Sequence, residues 1–467
     1  MTGERMRNRI RMHGAGTHDM TQGPILQQVL MFALPLMLGN IFQMLYNTVD
    51  VIVVGNYVGK EALAAVGSTT MIVNIQVFFF NGFSIGAGVV IGRYFGAKDQ
   101  ERLHAAVETT MAMTLILCAL FTAGGIAVVG PMLRLMATPE DVLADAATYL
   151  TIYFAGVSGL MIYNMGSGIL RAVGNTTLPL VFLAVTSILN IILDLAFVLG
   201  LHAGIAGVAY ATILSQFISA ALTLLLLTRS REIFRLTWRD LHIDRGILKR
   251  ILGIGLPAAA QSVVTSISNV FVQSYVNAFG STVMAGWSCY NKLDQFIMLP
   301  MQSMAMASTS FVSQNVGAGK EKRADRGTVT SILATLAVTG VIAALLYVFA
   351  SPAVRLFTND ERVIRAGVLF LQVNVFFLLF NCVNHVLAGG LRGRGDATGP
   401  MVIMLISFVA IRQVYLFVMT RFILNTPTVV GFGYPVGWMT CCAIELAYFY
   451  VRRVRKKPPE KPPEKNV

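Results

Sequence analysis

The chain has 467 residues, of which 55% are hydrophobic and only 13% charged, with a mean hydropathy of +0.67. Soluble domains carry about 25% charged residues, so a soluble enzyme or scaffold is excluded and length here counts membrane crossings rather than domains. The net charge of +13 would suit a nucleic-acid binder, but no basic patch interleaved with aromatics stands outside the apolar runs, and no nucleic-acid partner is expected.

Residues 1–24 form an arginine-bearing arm with no apolar h-region, so the first span is expected to direct insertion without a cleavable signal. Windows of about 19 residues then place spans at 25–54, 62–92, 106–128, 143–169, 178–199, 205–227, 250–278, 283–313, 328–349, 364–388, 400–422 and 429–451. The expected fold is an all-α polytopic membrane protein of twelve transmembrane helices in two six-helix lobes. The N-lobe covers 25–228 and the C-lobe 250–451, joined by a charged cytoplasmic linker at 229–249 and followed by a basic, Pro-rich cytoplasmic tail at 452–467. Several spans exceed the roughly 20 residues a bilayer requires, so kinks are expected at Pro35 and Pro257. Cys118, Cys289, Cys382, Cys441 and Cys442 lie in apolar runs, with no C-x-x-C and no histidine at metal spacing, and read as packing residues.

An even span count puts both termini on one side. That side collects 28 of the 36 Lys and Arg residues, the other side six, and Lys292 and Arg412 fall inside spans. By the positive-inside rule the termini are cytoplasmic, in a cell inner membrane. The chain also repeats itself at an offset of 221 to 222 residues: Pro35 answers Pro257, Asn47 answers Asn269, Gly59 answers Gly280, and LRAVGNTTLP at 170–179 answers LRGRGDATGP at 391–400. Halves inserted in the same orientation imply a pseudo-two-fold axis along the membrane normal and a cavity between them.

Ionisable residues at membrane depth are costly and are functional candidates by default. The second half holds Lys292, Asp294, His385, Arg412 and Glu445, so structural ion pairs are expected among Lys292, Asp294, Arg412 and Glu445. In the first half Asp50 and Asp194 have no cation inside the spans, and must hold protons or bind a cation. Counted from the outer loops at about 1.5 Å per residue, Asp50, Asp194 and Thr212 lie at similar depth, and Asn190 is one turn from Asp194. This oxygen set suits Na⁺, and its carboxylates could equally carry a proton.

A polar stripe of Asn40, Gln43, Tyr46, Asn47 and Asp50 runs along the first span. Its partner in the seventh carries Gln261, Thr265 and Asn269, while Asn381 and His385 share a face of the tenth. These residues are expected to line a substrate cavity. The glycine cluster GFSIGAGVVIGRYFGAKD lacks a Walker lysine–serine pair and a strand–turn–helix context, so no nucleotide cofactor is expected and transport must draw on an ion gradient.

The segments PLMLGNIFQMLYNTVDVIVVGNYVGKEALAAVG, GRYFGAKDQER with its echo SQNVGAGKEKR, and LRAVGNTTLP with its echo resemble the signatures of the multidrug and toxic compound extrusion (MATE) transporters, over about residues 24 to 450. The resemblance implies a secondary active antiporter, not an enzyme, that exports cationic lipophilic drugs in exchange for H⁺ or Na⁺ by alternating access. It also implies a first-helix bend at Pro35. In the DinF-like branch the amino-terminal lobe holds a cation or proton site matching Asp50, Asn190, Asp194 and Thr212. The branch with a carboxy-terminal cation site has a glutamate where this chain has Thr265, so the DinF-like branch is favoured. A monomer is expected. A flippase for lipid-linked saccharide precursors is the alternative; it would need several cavity arginines or lysines, and only Lys292 and Arg412 stand inside spans. A membrane-embedded hydrolase built on His385 with Asp294 or Glu445 lacks a second histidine or an activating motif.

Overall fold

The computed structural model describes residues 17–136, 138–230 and 232–455, and these are helical throughout apart from short connections. The helices are α1 (Ile25–Val58), α2 (Lys60–Gly96), α3 (Gln100–Leu135), α4 (Glu140–Ala172), α5 (Thr177–Gly200), α6 (Gly204–Arg229), α7 (Arg245–Asn277), α8 (Ser281–Gly317) and α9 (Glu321–Val348). They continue with α10, broken into Glu361–Asn374 and Leu378–Gly393, α11 (Thr398–Ile423) and α12 (Pro427–Arg453). A short helix, Ala350–Arg355, lies between α9 and α10. Of the arm and tail expected at 1–24 and 452–467, residues 1–16 and 456–467 lie outside the described residues.

Among the described residues ten helices are long and apolar enough to cross a membrane, and the bent α10 pair makes an eleventh crossing if taken as one span. The tenth span is therefore not the single helix expected at 364–388: it turns by 55° between its halves. α8 is 37 residues long but too polar for the same measure. Its stretch from Ala307 to Asn315, including Ser308, Thr309, Ser310, Ser313, Gln314 and Asn315, is buried. A helix packed inside protein need not be apolar in the way lipid requires. Elsewhere the polarity is inverted relative to a soluble fold, and leucines such as Leu30, Leu120, Leu333 and Leu345 stand exposed on the outer faces. All five cysteines are buried and free.

Both Pro35 and Pro257 sit inside continuous helices rather than at breaks. The departures from α geometry come elsewhere, as π-helical turns at Val54–Val58, Ala196–Gly200, Leu405–Ile411 and Met419–Ile423. Such turns often mark functional positions, and the first two begin just after Asp50 and Asp194.

In the first half α4 packs on α2, α3 and α6, and α1 on α5. In the second half α10 packs on α8, α9 and α12, and α7 on α11. The halves join where α2 meets α7 and α8 and where α1 meets α8. Glycines allow that approach, as small residues do between membrane helices. A Cβ at Gly86 would stand 2.4 Å from the Ile251 carbonyl oxygen, one at Gly96 1.9 Å from that of Gln314, and one at Gly317 2.0 Å from that of Arg93. Near these contacts Gln314 accepts from the Met20 amide (2.9 Å) and donates to the Ala172 carbonyl (2.9 Å). The seam is therefore closed at the end of the molecule that carries the N-terminal arm.

Candidate functional site

On α1 the residues Asn40, Gln43, Tyr46 and Asp50 recur at helical spacing and turn one polar face towards α5. α5 answers with Thr186, Ser187, Asn190 and Asp194, all buried, and α6 adds Thr212, Ser215 and Ser219. The carboxyls of Asp50 and Asp194 lie against one another within hydrogen-bonding reach. Outside that pair, among the described residues no group donates to either oxygen of Asp194 or to Asp50 Oδ1, and the Asn190 side chain has no hydrogen-bond partner at its Oδ1 or its Nδ2. Asp194 is 0% exposed and Asn190 2%. Thr212 donates its hydroxyl to the Val208 carbonyl (3.0 Å), which leaves its oxygen lone pairs free to accept.

Buried polar atoms are nearly always partnered, so a cluster of orphaned oxygens here indicates something that binds them. Hard carboxylate, amide and hydroxyl oxygens fit a proton or a small hard cation such as Na⁺. Tyr46, already on the expected polar stripe, neighbours the acids together with Tyr149, which the sequence reading missed. Tyr46 and Tyr149 both act on the two carboxyls through space, and Tyr163, on the same cavity wall as Tyr46, donates its hydroxyl to the Pro179 carbonyl (3.0 Å).

A cavity of about 210 Å³ opens beside this cluster, with Pro35, Asn40, Gln43, Tyr46, Asn190 and Thr212 on its wall. A second cavity of about 230 Å³ lies between the halves and carries Gln261 and His385. The two share Asn81, Arg171, Gln302 and Met306. Arg171 and Arg392 both line the second cavity, Arg171 donating to Ser84 Oγ (3.1 Å) and Arg392 to Gln261 Oε1 (3.0 Å). Both lie just outside the spans expected at 143–169 and 364–388. The repeat could have found them, because Arg171 answers Arg392 and Asn81 answers Gln302 at its own spacing.

Four expected cavity residues lie off these walls. Asn47 is exposed on α1, Thr265 donates back to the Gln261 carbonyl (2.8 Å), Asn269 accepts from Arg412 (3.0 Å), and Asn381 is buried beside Met298 Sδ at 3.5 Å. The expected ion pairs among Lys292, Asp294, Arg412 and Glu445 do not form. Lys292 and Asp294 are two positions apart on one helix and so face different ways; Lys292 is exposed, its ammonium 5.5 Å from the Phe357 ring centre, and Asp294 Oδ1 has no partner. Arg412, 1% exposed, is held by neutral groups: Ser268 Oγ (2.5 Å), Asn269 Oδ1, the Phe408 carbonyl (3.1 Å) and the face of Tyr434. Both Glu445 carboxylate oxygens are buried without a hydrogen-bond partner, and the cation that acts on them through space is Arg392.

The MatE family profile matches residues 35–196 and again 257–418, two stretches that begin 222 residues apart (35 to 257). A Bacillus subtilis (strain 168) protein named as the probable multidrug resistance protein YpnP is 31% identical over 93% of this chain and 97% of its own length. The probable multidrug resistance protein NorM of Thermotoga maritima is 26% identical over 85% of this chain and 86% of its own length. In fold, the chain matches an outward-facing multidrug resistance MATE family transporter of the MOP superfamily with a TM-score of 0.89 at 24% identity, covering 94% of this chain and 98% of that one. A MOP superfamily transporter from Pyrococcus furiosus gives 0.87 at 24% identity, covering 93% and 97%. With both halves matched by one profile and nearly the whole length shared with relatives, the protein belongs to the MatE family of multidrug and toxic compound extrusion transporters: it is a multi-pass membrane transporter and not an enzyme.

Proposed function

We propose that this chain is a secondary active multidrug efflux antiporter of the DinF-like branch, exporting cationic lipophilic compounds from the cytoplasm in exchange for H⁺ or Na⁺. The relatives named as multidrug resistance and multidrug export proteins support the substrate class. The observation that carries the coupling is the buried Asp50–Asp194 pair with its orphaned oxygens and no cation beside it. In this reading Asp50, Asn190, Asp194 and Thr212 hold the coupling ion, and the cavity wall of Asn40, Gln43 and Tyr46 receives the drug. Ion and drug use the same carboxyls in turn. Each then shifts the balance between two conformations, which is how two ligands become linked.

The architecture we assign is twelve spanning helices in two six-helix lobes, 25–228 and 250–451, with 229–249 as the linker. The profile that matches twice supports it, and so does the packing that recurs as α1–α5 with α7–α11 and α4–α6 with α10–α12. Cytoplasmic termini follow from the distribution of Lys and Arg, and the closed seam near the N-terminal arm then lies on the cytoplasmic side. We take the protein as a monomer in the inner membrane with no nucleic-acid partner.

A flippase for lipid-linked saccharide precursors is the second reading. Arg171 and Arg392 on the wall of the central cavity favour it, where Lys292 and Arg412 do not. Uptake of a fluorescent cation into inverted vesicles, driven separately by a pH or a Na⁺ gradient, tests the first reading. Gradient-driven uptake supports it; no uptake under either gradient, together with headgroup translocation in liposomes, would move the assignment to the flippase.

A further inference from the structure

The connection between α6 and α7 does not hang free. Phe234 and Leu236 are each 1% exposed, and the Asp244 amide donates to Thr109 Oγ1 on α3 at 3.0 Å. Beside that contact lies Glu108 of α3, 1% exposed. His104, one turn earlier on the same helix, brings Nε2 to 2.8 Å from Glu108 Oε1, and His242 of the connection brings Nδ1 to 3.0 Å from Glu108 Oε2. Asp240 completes the group: ligand atoms of His104, Glu108 and Asp240 all lie within 4.8 Å of one another, the one such convergence of three His, Cys, Asp or Glu among the described residues.

Two features make this more than a surface charge cluster. Glu108 Oε1 is buried yet has no partner in hydrogen-bond geometry, although an imidazole nitrogen is at contact distance. A donor and its acceptor would align, so this buried oxygen is left open to another partner. In addition, the Glu108 carboxylate is buried while Asp240 beside it is exposed, and a buried carboxylate is costly unless a cation or hydrogen bonds offset it. No Lys or Arg forms an ion pair with Glu108 or Asp240 among the described residues.

We propose that His104, Glu108 and Asp240 form a binding site for a divalent transition metal of the Zn²⁺ type, supported from outside by His242, whose Nδ1 lies 2.8 Å from the Asp240 carbonyl oxygen, and that the ion clips the segment joining the two halves onto α3. The i, i+4 pair on α3 supplies one nitrogen and one oxygen from a rigid element, and the connection supplies Asp240. Mixed imidazole and carboxylate ligation in a four-coordinate site is what Zn²⁺ accepts, with ligand distances of about 2.0–2.2 Å. His104 and His242 are 36% and 55% exposed at their side chains, so solvent gives the ion a way in. The metal fixes the start of α7 relative to α3 and shortens the free tether between the halves. The site is independent of the transport reading, and its test reads no transport.

Untagged full-length protein in detergent, stripped with EDTA and dialysed, is titrated with Zn²⁺ by calorimetry and with Co²⁺ by visible absorption. The expected result is one ion per chain with the ligand-field bands of a four-coordinate nitrogen–oxygen site. Loss of an outer-shell group alone weakens metal sites about 10–100-fold, so His104→Ala and His242→Ala should each weaken binding at least tenfold. Zn²⁺ should also slow proteolysis within 230–244, with EDTA restoring the rate. Glu108 is buried and its variants risk misfolding, so the histidine variants and Asp240→Asn carry the test. Absence of a stoichiometric ion in the wild type, or unchanged binding in the His104→Ala/His242→Ala double variant, would overturn the proposal and leave a histidine–carboxylate ion-pair cluster.

Discussion

Asp50 and Asp194 keep two carboxyls in contact inside the first half with no Lys or Arg to offset them, and an amide isostere at either position retains the shape while removing the charge. Asp50→Asn and Asp194→Asn are each expected to abolish drug resistance in a sensitive host while the protein stays at wild-type level in the membrane; immunoblots beside growth curves check both halves of that statement. Arg412 belongs to a different kind of chemistry, because it serves three neutral oxygen acceptors and an aromatic face in a buried site. Truncation leaves those groups unpartnered, and hydrogen bonds to charged groups contribute about 1.5–3 kcal/mol each at most. Arg412→Ala should lower the melting temperature of the solubilised protein clearly, by a loss of about 2–4 kcal/mol. Lys292→Ala should change stability by less than about 0.5 kcal/mol, as surface substitutions do, since the ammonium meets an aromatic edge and no carboxylate. The sequence showed that these residues were ionisable and set in apolar runs. It could not show which way each faced, and two positions along a helix were enough to separate Lys292 from Asp294.

α2 and α8 close the seam between the halves through their last turns, and the glycines there act as a matched pair. Gly96 meets the Gln314 carbonyl and Gly317 meets the Arg93 carbonyl, and both obstacles are backbone atoms that cannot rotate away. A leucine at either position should hold the seam apart, so Gly96→Leu and Gly317→Leu should stop transport with the protein still inserted. Gly124→Leu on α3, where nothing lies within 4 Å of an added Cβ, should transport normally; equal loss in all three would refute the steric account. The repeat made this pairing visible as FGA against VGA, but only the packed helices show that each glycine faces the other half. Span positions were legible because apolar runs are long. The break in α10 was not, because Val375–Phe377 contains neither proline nor glycine and hydropathy averages over the bend. α8 was legible as a helix, though its burial, and thus its freedom to be polar, depends on the helices around it.

For the whole molecule, the distribution of charge predicts an orientation that labelling can check. With all five native cysteines buried, a cysteine at Lys60 or Arg134 should react with a membrane-impermeant maleimide in intact cells. One at Arg229 should react only after the cells are opened, and the reverse pattern would invert the topology. Among the features of this protein, the sequence by itself determined the membrane class, the duplication and the acids of the first half, because hydropathy, charge and repetition are properties of residues in order. The tertiary structure decided what meets across that order: the contact of Asp50 with Asp194, the tyrosines around them, Arg171 and Arg392 at the central cavity, and the replacement of expected ion pairs by neutral partners around Arg412. Those depend on the rotation of each helix about its axis and on which helices become neighbours, and both are set by packing among segments hundreds of residues apart.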